Sequence, residues 1–286
     1  MKKKAKSQHI KFHGFHILYY AVLTLFAICV VLPFFWLVMT SLDHFDSYSL
    51  PFPPRLLPQE PSLFNYEMAL KNVPILSYLL NTFILVILCV LLDVVVATLS
   101  GFCISKGRFP GRRFVLLFIL SNMMVPFEIK LMPIYNIIKD IGLSNNFFGV
   151  ILPGVMTNAM FIFFIKQFCD NLPSDLYEAG VIDGASKFRI YAQIFLPLMG
   201  PVVATLVVLD VVNVWNDLLW PMIVLTDVDL STIQLGLVRY NTGANGQVHA
   251  GIQTALSVLS VLPLEIIFCF MQKYIVQSIA ASGLKQ

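Results

Sequence analysis

Six apolar stretches, each long enough to cross a bilayer as a helix, constrain this chain more than any other feature. They run over Ile17–Ser41, Pro74–Ser100, Phe114–Tyr135, Phe147–Phe168, Pro197–Leu225 and Ala250–Tyr274. A helix of about 20 apolar residues spans the hydrocarbon core. None of the six alternates polar and apolar residues as a barrel strand does. The third is the weakest, because Glu128 and Lys130 interrupt it. With 58% hydrophobic and 12% charged residues, the chain has too little polar surface for a water-soluble domain. A soluble enzyme, a disordered chain and a disulfide-stapled module are therefore excluded. Cys29, Cys89, Cys103, Cys169 and Cys269 form no C-x-x-C pair and read as small packing residues. The five His (His9, His13, His16, His44, His249) show no metal spacing.

Lys2, Lys3, Lys4 and Lys6 precede the first stretch, as they would in a signal peptide. Its uncharged core is too long for one and no small-residue cleavage site follows, so a retained helix is expected. Placing the N-terminus in the cytoplasm assigns fourteen of the nineteen Lys and Arg to cytoplasmic segments. Only Arg55, Lys71, Lys130, Lys139 and Arg239 fall outside or at its borders. The positive-inside rule thus favours six transmembrane helices with both termini cytoplasmic, an all-α multi-pass protein of the cytoplasmic membrane. The expected organisation is 1–73 (N-terminus, first helix and a Pro-rich outer loop), 74–276 (transmembrane core) and 277–286 (cytoplasmic tail). The outer loop 42–73 holds Pro51, Pro53, Pro54, Pro58 and Pro61 and should be irregular. Loop 226–249, with Asn241, Gly243, Asn245 and Gly246, should turn sharply.

The cytoplasmic segment 171–197 differs from every other loop. Ser174 suits an N-cap, although Tyr177 occupies the position where a capping box needs Glu or Gln. A short helix can run to about Asp183, and Gly184 can take the left-handed conformation that ends it. A second short helix can follow from Ala185, with Pro197 in the first turn of the fifth span. The pattern predicts a helix–turn–helix at the inner membrane face.

This segment resembles the E-A-A motif of ABC importer permeases. The match is carried by Glu178, Ala179, Gly180, Gly184, Ile194, Leu196 and Pro197, with Gly180 standing where the motif has a third Ala. V-I-D-G-A at Val181–Ala185, which includes Asp183, is similar to the sugar-importer version. So are K-G-R-F-P-G-R at Lys106–Arg112, W-N-D-L-L-W-P at Trp215–Pro221 and the tail from Gln272 to Lys285. Together they resemble the maltose-type subunit, from about residue 60 to the end. The resemblance implies a type I ABC importer permease fold and a function as permease for a sugar or oligosaccharide. It implies a second permease subunit, an ATPase dimer, an extracellular solute-binding protein and the lipid bilayer as partners, and no nucleic acid. ATP and Mg would sit on the ATPase, since this chain has no G-x-x-x-x-G-K-[ST] loop and needs no cofactor of its own. Segment 171–197 would be the coupling loop, with Glu178 offering a carboxylate to a basic group of the ATPase. The tail Ser282–Gln286 would touch the ATPase, and Arg239–Gln247 would reach the binding protein.

Ionisable groups within spans normally face the bundle or a cavity. Asp210, Asn213 and Asp217 stand at i, i+3 and i+7, one face of a helix, and with Trp220 they are candidates for the sugar pathway or for a seam with the partner permease. Trp215 and Trp220 fit an interfacial aromatic belt. Asp93, Glu265, Asn81, Ser100 and Ser121 read as contacts between helices. The alternatives are the same machine carrying another solute, such as glycerol phosphate, or an ion-coupled secondary transporter with Asp210 and Asp217 binding the cation. An intramembrane enzyme is disfavoured, because H-E-x-x-H is absent and two Asp on one helix do not converge.

Overall fold

The computed structural model describes residues 2–44, 49–243 and 249–283, and side chains within 16–44, 49–155, 158–242 and 249–273. Among these residues the fold is all-α. Helix α1 covers Lys2–Ser41, α2 Phe64–Asn72 and α3 Ile75–Lys106. Then come α4 (Arg112–Met124), α5 (Phe127–Asp140), α6 (Phe147–Thr157), α7 (Ala159–Asp170) and α8 (Asp175–Ile182). Helix α9 (Lys187–Ile190) passes through a π turn, Tyr191–Phe195, into α10 (Leu196–Leu198). The chain ends with α11 (Gly200–Asn216), α12 (Leu219–Val224), α13 (Ile233–Gly243) and α14 (Ala250–Gly283).

Three helices are long and apolar enough to cross a membrane unbroken: His16–Ser41, Ile75–Lys106 and Ala250–Lys273. The other three stretches, expected as single helices, are each broken. Between α4 and α5 the axis turns by 107°. Pro126 causes this, because a residue before proline is driven out of the helical region, and Val125 is extended at φ −93°, ψ 114°. Between α6 and α7 the bend is 42°, at Asn158, whose side chain accepts from the Phe161 amide and restarts the helix. Between Lys187–Leu198 and Gly200–Asn216 it is 75°. That break is at Met199; upstream of it the Leu196 amide bonds to the Tyr191 carbonyl, the π turn that precedes Pro197. Pro201, not Pro197, occupies the first turn of the long helix α11.

Two compact units are distinguishable, 1–73 with 241–259 and 74–240 with 260–286. In the first, the buried Asp43 carboxylate organises the Pro-rich segment by accepting from the Gln59 and Glu60 amides at 2.8 and 2.9 Å. Asn65 on α2 donates to the Ser41 and Asp43 carbonyls at 3.0 and 2.9 Å. In the second unit α3 is central and packs on α6, α7 and α11. One apolar cluster gathers Ala97, Phe102, Phe161, Ile165, Ile190 and Phe195. Another gathers Leu85, Cys89, Ile138, Ile151, Trp220 and Leu235.

Gly101 lets α3 and α7 approach. A Cβ there would stand 2.6 Å from Ile165 Cγ2 and 2.9 Å from the Lys166 backbone nitrogen. Gly101→Ala is therefore expected to destabilise the chain by about 1–3 kcal/mol through overpacking. Gly154→Ala in α6 meets no atom within 4 Å and should be neutral or mildly stabilising. Thermal unfolding of the two variants in detergent checks the contrast, and an unchanged Gly101→Ala would refute the close packing.

Candidate functional site

Residues 171–197 fold as a helical hairpin, built from α8 and α9 and continued by the π turn. Ser174 is at the N-cap of α8, but its hydroxyl caps nothing. The helix ends at Ile182, with Asp183 as C-cap and Gly184 at φ +72°. The Gly184 amide bonds to the Val181 carbonyl and the Ala185 amide to the Gly180 carbonyl, at 3.1 and 3.0 Å. These two bonds make a complete Schellman ending, and only glycine reaches that backbone conformation without strain. The second helix starts at Lys187, two residues later than expected. Its cap is Ser186, whose hydroxyl accepts from the Arg189 amide at 3.2 Å.

The hairpin has one inward and one outward side. Gly180 is buried, and a Cβ there would lie 2.9 Å from Ile190 Cγ1 and 3.2 Å from Ile194 Cδ1. The departure from Ala is thus explained by packing. Glu178, Ala179, Val181, Ile182, Asp183 and Phe188 are exposed, Ile182 by 84%. Leu196 is half-buried against the cluster that holds Ile190 and Phe195. Tyr177 sits where a capping box would need an acid because it packs inward instead, 6.3 Å from the Phe102 ring and 6.5 Å from Phe195. Phe102 also meets Tyr191 at 5.5 Å and Phe195 at 5.0 Å. Thr98 and Tyr191 share a hydrogen bond of 2.8 Å. Lys106 donates to the Leu172 carbonyl at 3.0 Å, and Asp170 accepts from Ser105 and pairs with Lys166, each at 2.6 Å. Sequence reasoning missed this anchoring set. Its one visible signal was an aromatic where the capping box failed.

The polar face expected on the fifth span is not continuous. Helix α11 stops at Asn216, and Asp217 is its extended C-cap, accepting a long bond from the Trp220 amide. Asn213 is exposed and Asp217 half-buried. Asp210 is buried against Asp93 of α3, and Asp93 also neighbours Asn158. One oxygen of each carboxyl has no hydrogen-bond partner among the described residues. The two Trp form no belt. Trp215 is fully buried and donates to the Ser260 carbonyl at 3.1 Å, and Trp220 donates to the Gly149 carbonyl at 3.2 Å. Asn81 bonds loop carbonyls of Asp229 and Ser231, and Ser121 bonds its own helix at Phe118, so neither bridges two long helices.

Residues 94–281, well over half of the chain, match the family described as binding-protein-dependent transport system inner membrane component. The chain belongs to this family. It is 34% identical over 199 residues to the arabinooligosaccharides transport system permease protein AraQ of Halalkalibacterium halodurans, covering 70% of each chain. It is 29% identical over 263 residues to the diacetylchitobiose uptake system permease protein NgcG of Streptomyces coelicolor, covering 91% of this chain and 86% of the other. The sn-glycerol-3-phosphate transport system permease protein UgpE of Brucella abortus is also 29% identical, covering 90% and 93%. The fold is shared with a chain of a bacterial ABC transporter involved in the import of the acidic polysaccharide alginate. That match has a TM-score of 0.79 at 23% identity and covers 92% of this chain and 96% of the other.

In this transport component the turn of the hairpin is specified by its own hydrogen bonds. The tail Ser282–Gln286 and most of Arg239–Gln247 lie outside the described side chains. Arg239 itself is described and bonds to the carbonyls of Leu225, Thr226 and Asp227 rather than projecting from a tip. Gly184→Ala should weaken the hairpin by about 1–2 kcal/mol, the cost of a left-handed residue with a Cβ. Gly184→Pro, whose ring demands a φ of about −65°, should abolish uptake while leaving membrane insertion intact. Uptake measured at matched membrane abundance tests both, and normal uptake by the Pro variant would contradict a coupling role for the hairpin.

Proposed function

We propose that this chain is one of two permease subunits in an ATP-driven importer that carries a carbohydrate across the cytoplasmic membrane. The observation that carries this reading is the rigid hairpin with its exposed face, Glu178, Ala179, Ile182 and Asp183, covalently continuous with α11. A separate ATPase dimer, holding ATP and Mg, grips that face. Ile194, Leu196 and Pro197 pass the motion into the membrane as a rigid-body shift. The three straight helices and three bent pairs form six spans with both termini cytoplasmic, in the type I arrangement. The most apolar window of α1 buries none of its residues within the chain, which supports lipid and a second permease as its neighbours. A solute-binding protein delivers the cargo on the outer side. Asp210, Asn213, Asp217 and Trp220 are proposed to shape the pathway or the partner seam, Asp210 and Trp220 by holding helices and Asn213 by exposure. Domain boundaries at 73 and 276 follow the same reading.

Carbohydrate is favoured as cargo by the oligosaccharide systems named for AraQ and NgcG. The relationship to UgpE keeps glycerol phosphate as the second reading. A phosphorylated cargo calls for basic groups in the pathway. Of the three Lys in the apolar stretches, Lys130 donates to Asn122 at 3.0 Å, Lys166 pairs with Asp170, and Lys273 is at the inner end of the last. An enzyme role is set aside, since the relatives are transport permeases.

The test is crosslinking from Glu178→Cys in native membranes, followed by identification of the adducts and by uptake assays. Adducts with an ATPase, and uptake that stops on ATP depletion but survives collapse of ion gradients, are expected. Uptake that follows an ion gradient, with no ATPase captured, would overturn the importer reading in favour of a secondary transporter.

A further inference from the structure

Three cations meet at one end of the α4–α7 pair. Arg112 and Arg113 open α4, and Lys166 stands one turn before the end of α7. With Phe109, Gly111 and Leu116 they line an open-sided cavity of about 600 Å³. Lys166 gives its charge to Asp170 at 2.6 Å, and Arg112 Nη1 donates to the Gly107 carbonyl at 3.3 Å. Arg113 is exposed and pairs with no described residue. The cavity therefore keeps an excess of positive charge.

The start of α4 adds to that excess. Gly111 is its N-cap, at φ +79° and with no side chain to accept from the first amides. The first turn holds no acid. A helix N-terminus already carries partial positive charge and presents free N–H groups. Two Arg in that turn oppose the helix dipole, and an anion seated among them relieves the opposition.

The kind of anion follows from the next stretch of the same groove. Farther along the two helices, Phe118, Ile119, Val125, Ala159 and Ile162 contribute to a second open-sided cavity, of about 430 Å³ and mostly apolar. Leu116 and Ile119 are less than a turn apart on α4, and Lys166 and Ile162 about one turn apart on α7, so one cavity follows the other. From Arg113 to Met124 the helix rises about 16 Å, close to the roughly 15 Å of hydrocarbon in one leaflet. Phe114 and Phe118 are 73% and 69% accessible on the same helix. A small soluble anion would use only the basic cavity, whereas a phospholipid uses both.

We propose that the α4–α7 groove binds an anionic phospholipid. Arg112, Arg113, Lys166 and the first amides of α4 hold its acidic headgroup, and an acyl chain lies in the apolar cavity. Basic pockets between membrane helices suit such headgroups. The site needs only that α4 and α7 lie in a bilayer; its assignment to the cytoplasmic leaflet rests on the importer reading above.

The experiment uses the full-length chain, purified in detergent with its bound partners, and counts lipid adducts by native mass spectrometry. Phosphatidylglycerol and phosphatidylcholine with the same acyl chains are supplied in turn, with inorganic phosphate as competitor. The wild type should retain phosphatidylglycerol over phosphatidylcholine, and phosphate should not displace it. Arg113→Gln, at an exposed position, should weaken that retention about fivefold, the contribution of one basic residue toward an anionic lipid. Arg113→Lys should keep most of it. Arg108→Gln removes the same charge from an exposed residue that does not line the cavity, and should change nothing. Arg113→Gln and Arg108→Gln behaving alike, or equal retention of the two lipids, overturns the site. Displacement by phosphate marks a soluble-anion site and overturns the lipid assignment. None of these readouts depends on ATP or uptake, so failure here leaves the importer reading standing, and the reverse also holds.

Discussion

Phe102 of α3 meets α8 and the π turn at the same time, and the rooting of the hairpin depends on that contact. The residue can stand there because its neighbour Gly101 has no side chain, so α3 meets α7 at Ile165 with backbone nearly against side chain. Phe102 then packs at a tilt against Tyr177 from α8 and against Tyr191 and Phe195 from the π turn. Aromatic pairs at such distances add about 0.5–1.5 kcal/mol each beyond area burial. The hydrogen bonds around them, Thr98 to Tyr191 and Lys106 to Leu172, fix the same junction from α3. An amphipathic loop resting on lipid headgroups would need none of these.

The broken helices follow from a second constraint. Backbone groups inside a bilayer must be satisfied internally, so a break is tolerated only where something else supplies the missing bonds. At Asn158 the side chain supplies one. At Met199 the amide still reaches the Phe195 carbonyl, and the Met199 carbonyl accepts from the Val203 amide. At Pro126 the chain turns through 107°, and Lys130 from α5 reaches the Asn122 side chain at the end of α4. Each break re-aims a helix at a defined angle rather than making it slack.

What could be read from the sequence was what local chemistry decides. Gly184 had to end a helix, and it does so at positive φ. The apolar runs had to become helices, and three of them, Ile75–Lys106 among them, are unbroken even though Pro33 and Pro263 stand inside the other two. Misreadings arose where tertiary contacts decide. Ser174 and Tyr177 looked like a faulty capping box because the use of Tyr177 lies in Phe102, seventy-five residues earlier. Asp210, Asn213 and Asp217 looked like one face because spacing assumes a helix that in fact ends at Asn216. Trp215 and Trp220 looked interfacial because composition does not reveal that Ser260 and Gly149 carbonyls await their indole N–H groups. That Gly180 stands where the motif has Ala is explained only by Ile190 and Ile194, which occupy the space of a Cβ there.

The two ends of the second unit use one solution to two mechanical demands. A hairpin that is to be pushed must not absorb the push in its own flexing. Its Schellman ending, the Gly180 contact and the aromatic root at Phe102 remove the soft degrees of freedom. The remaining one is the junction at Met199, where the axis bends by 75° into α11. Met199 is fully buried in the same cluster as Phe102, so that junction is packed as well. On the proposed coupling role, displacement of the hairpin would be passed to α11 through this packed junction. At the other end, α12 leads into the 225–231 turn, whose backbone is tied to α3, α13 and the turn before α6. Packed cores switch between discrete arrangements instead of deforming continuously. Under the proposed reading, a hairpin and an outer turn each held by their own hydrogen bonds would let a push at the hairpin become a change in helix position.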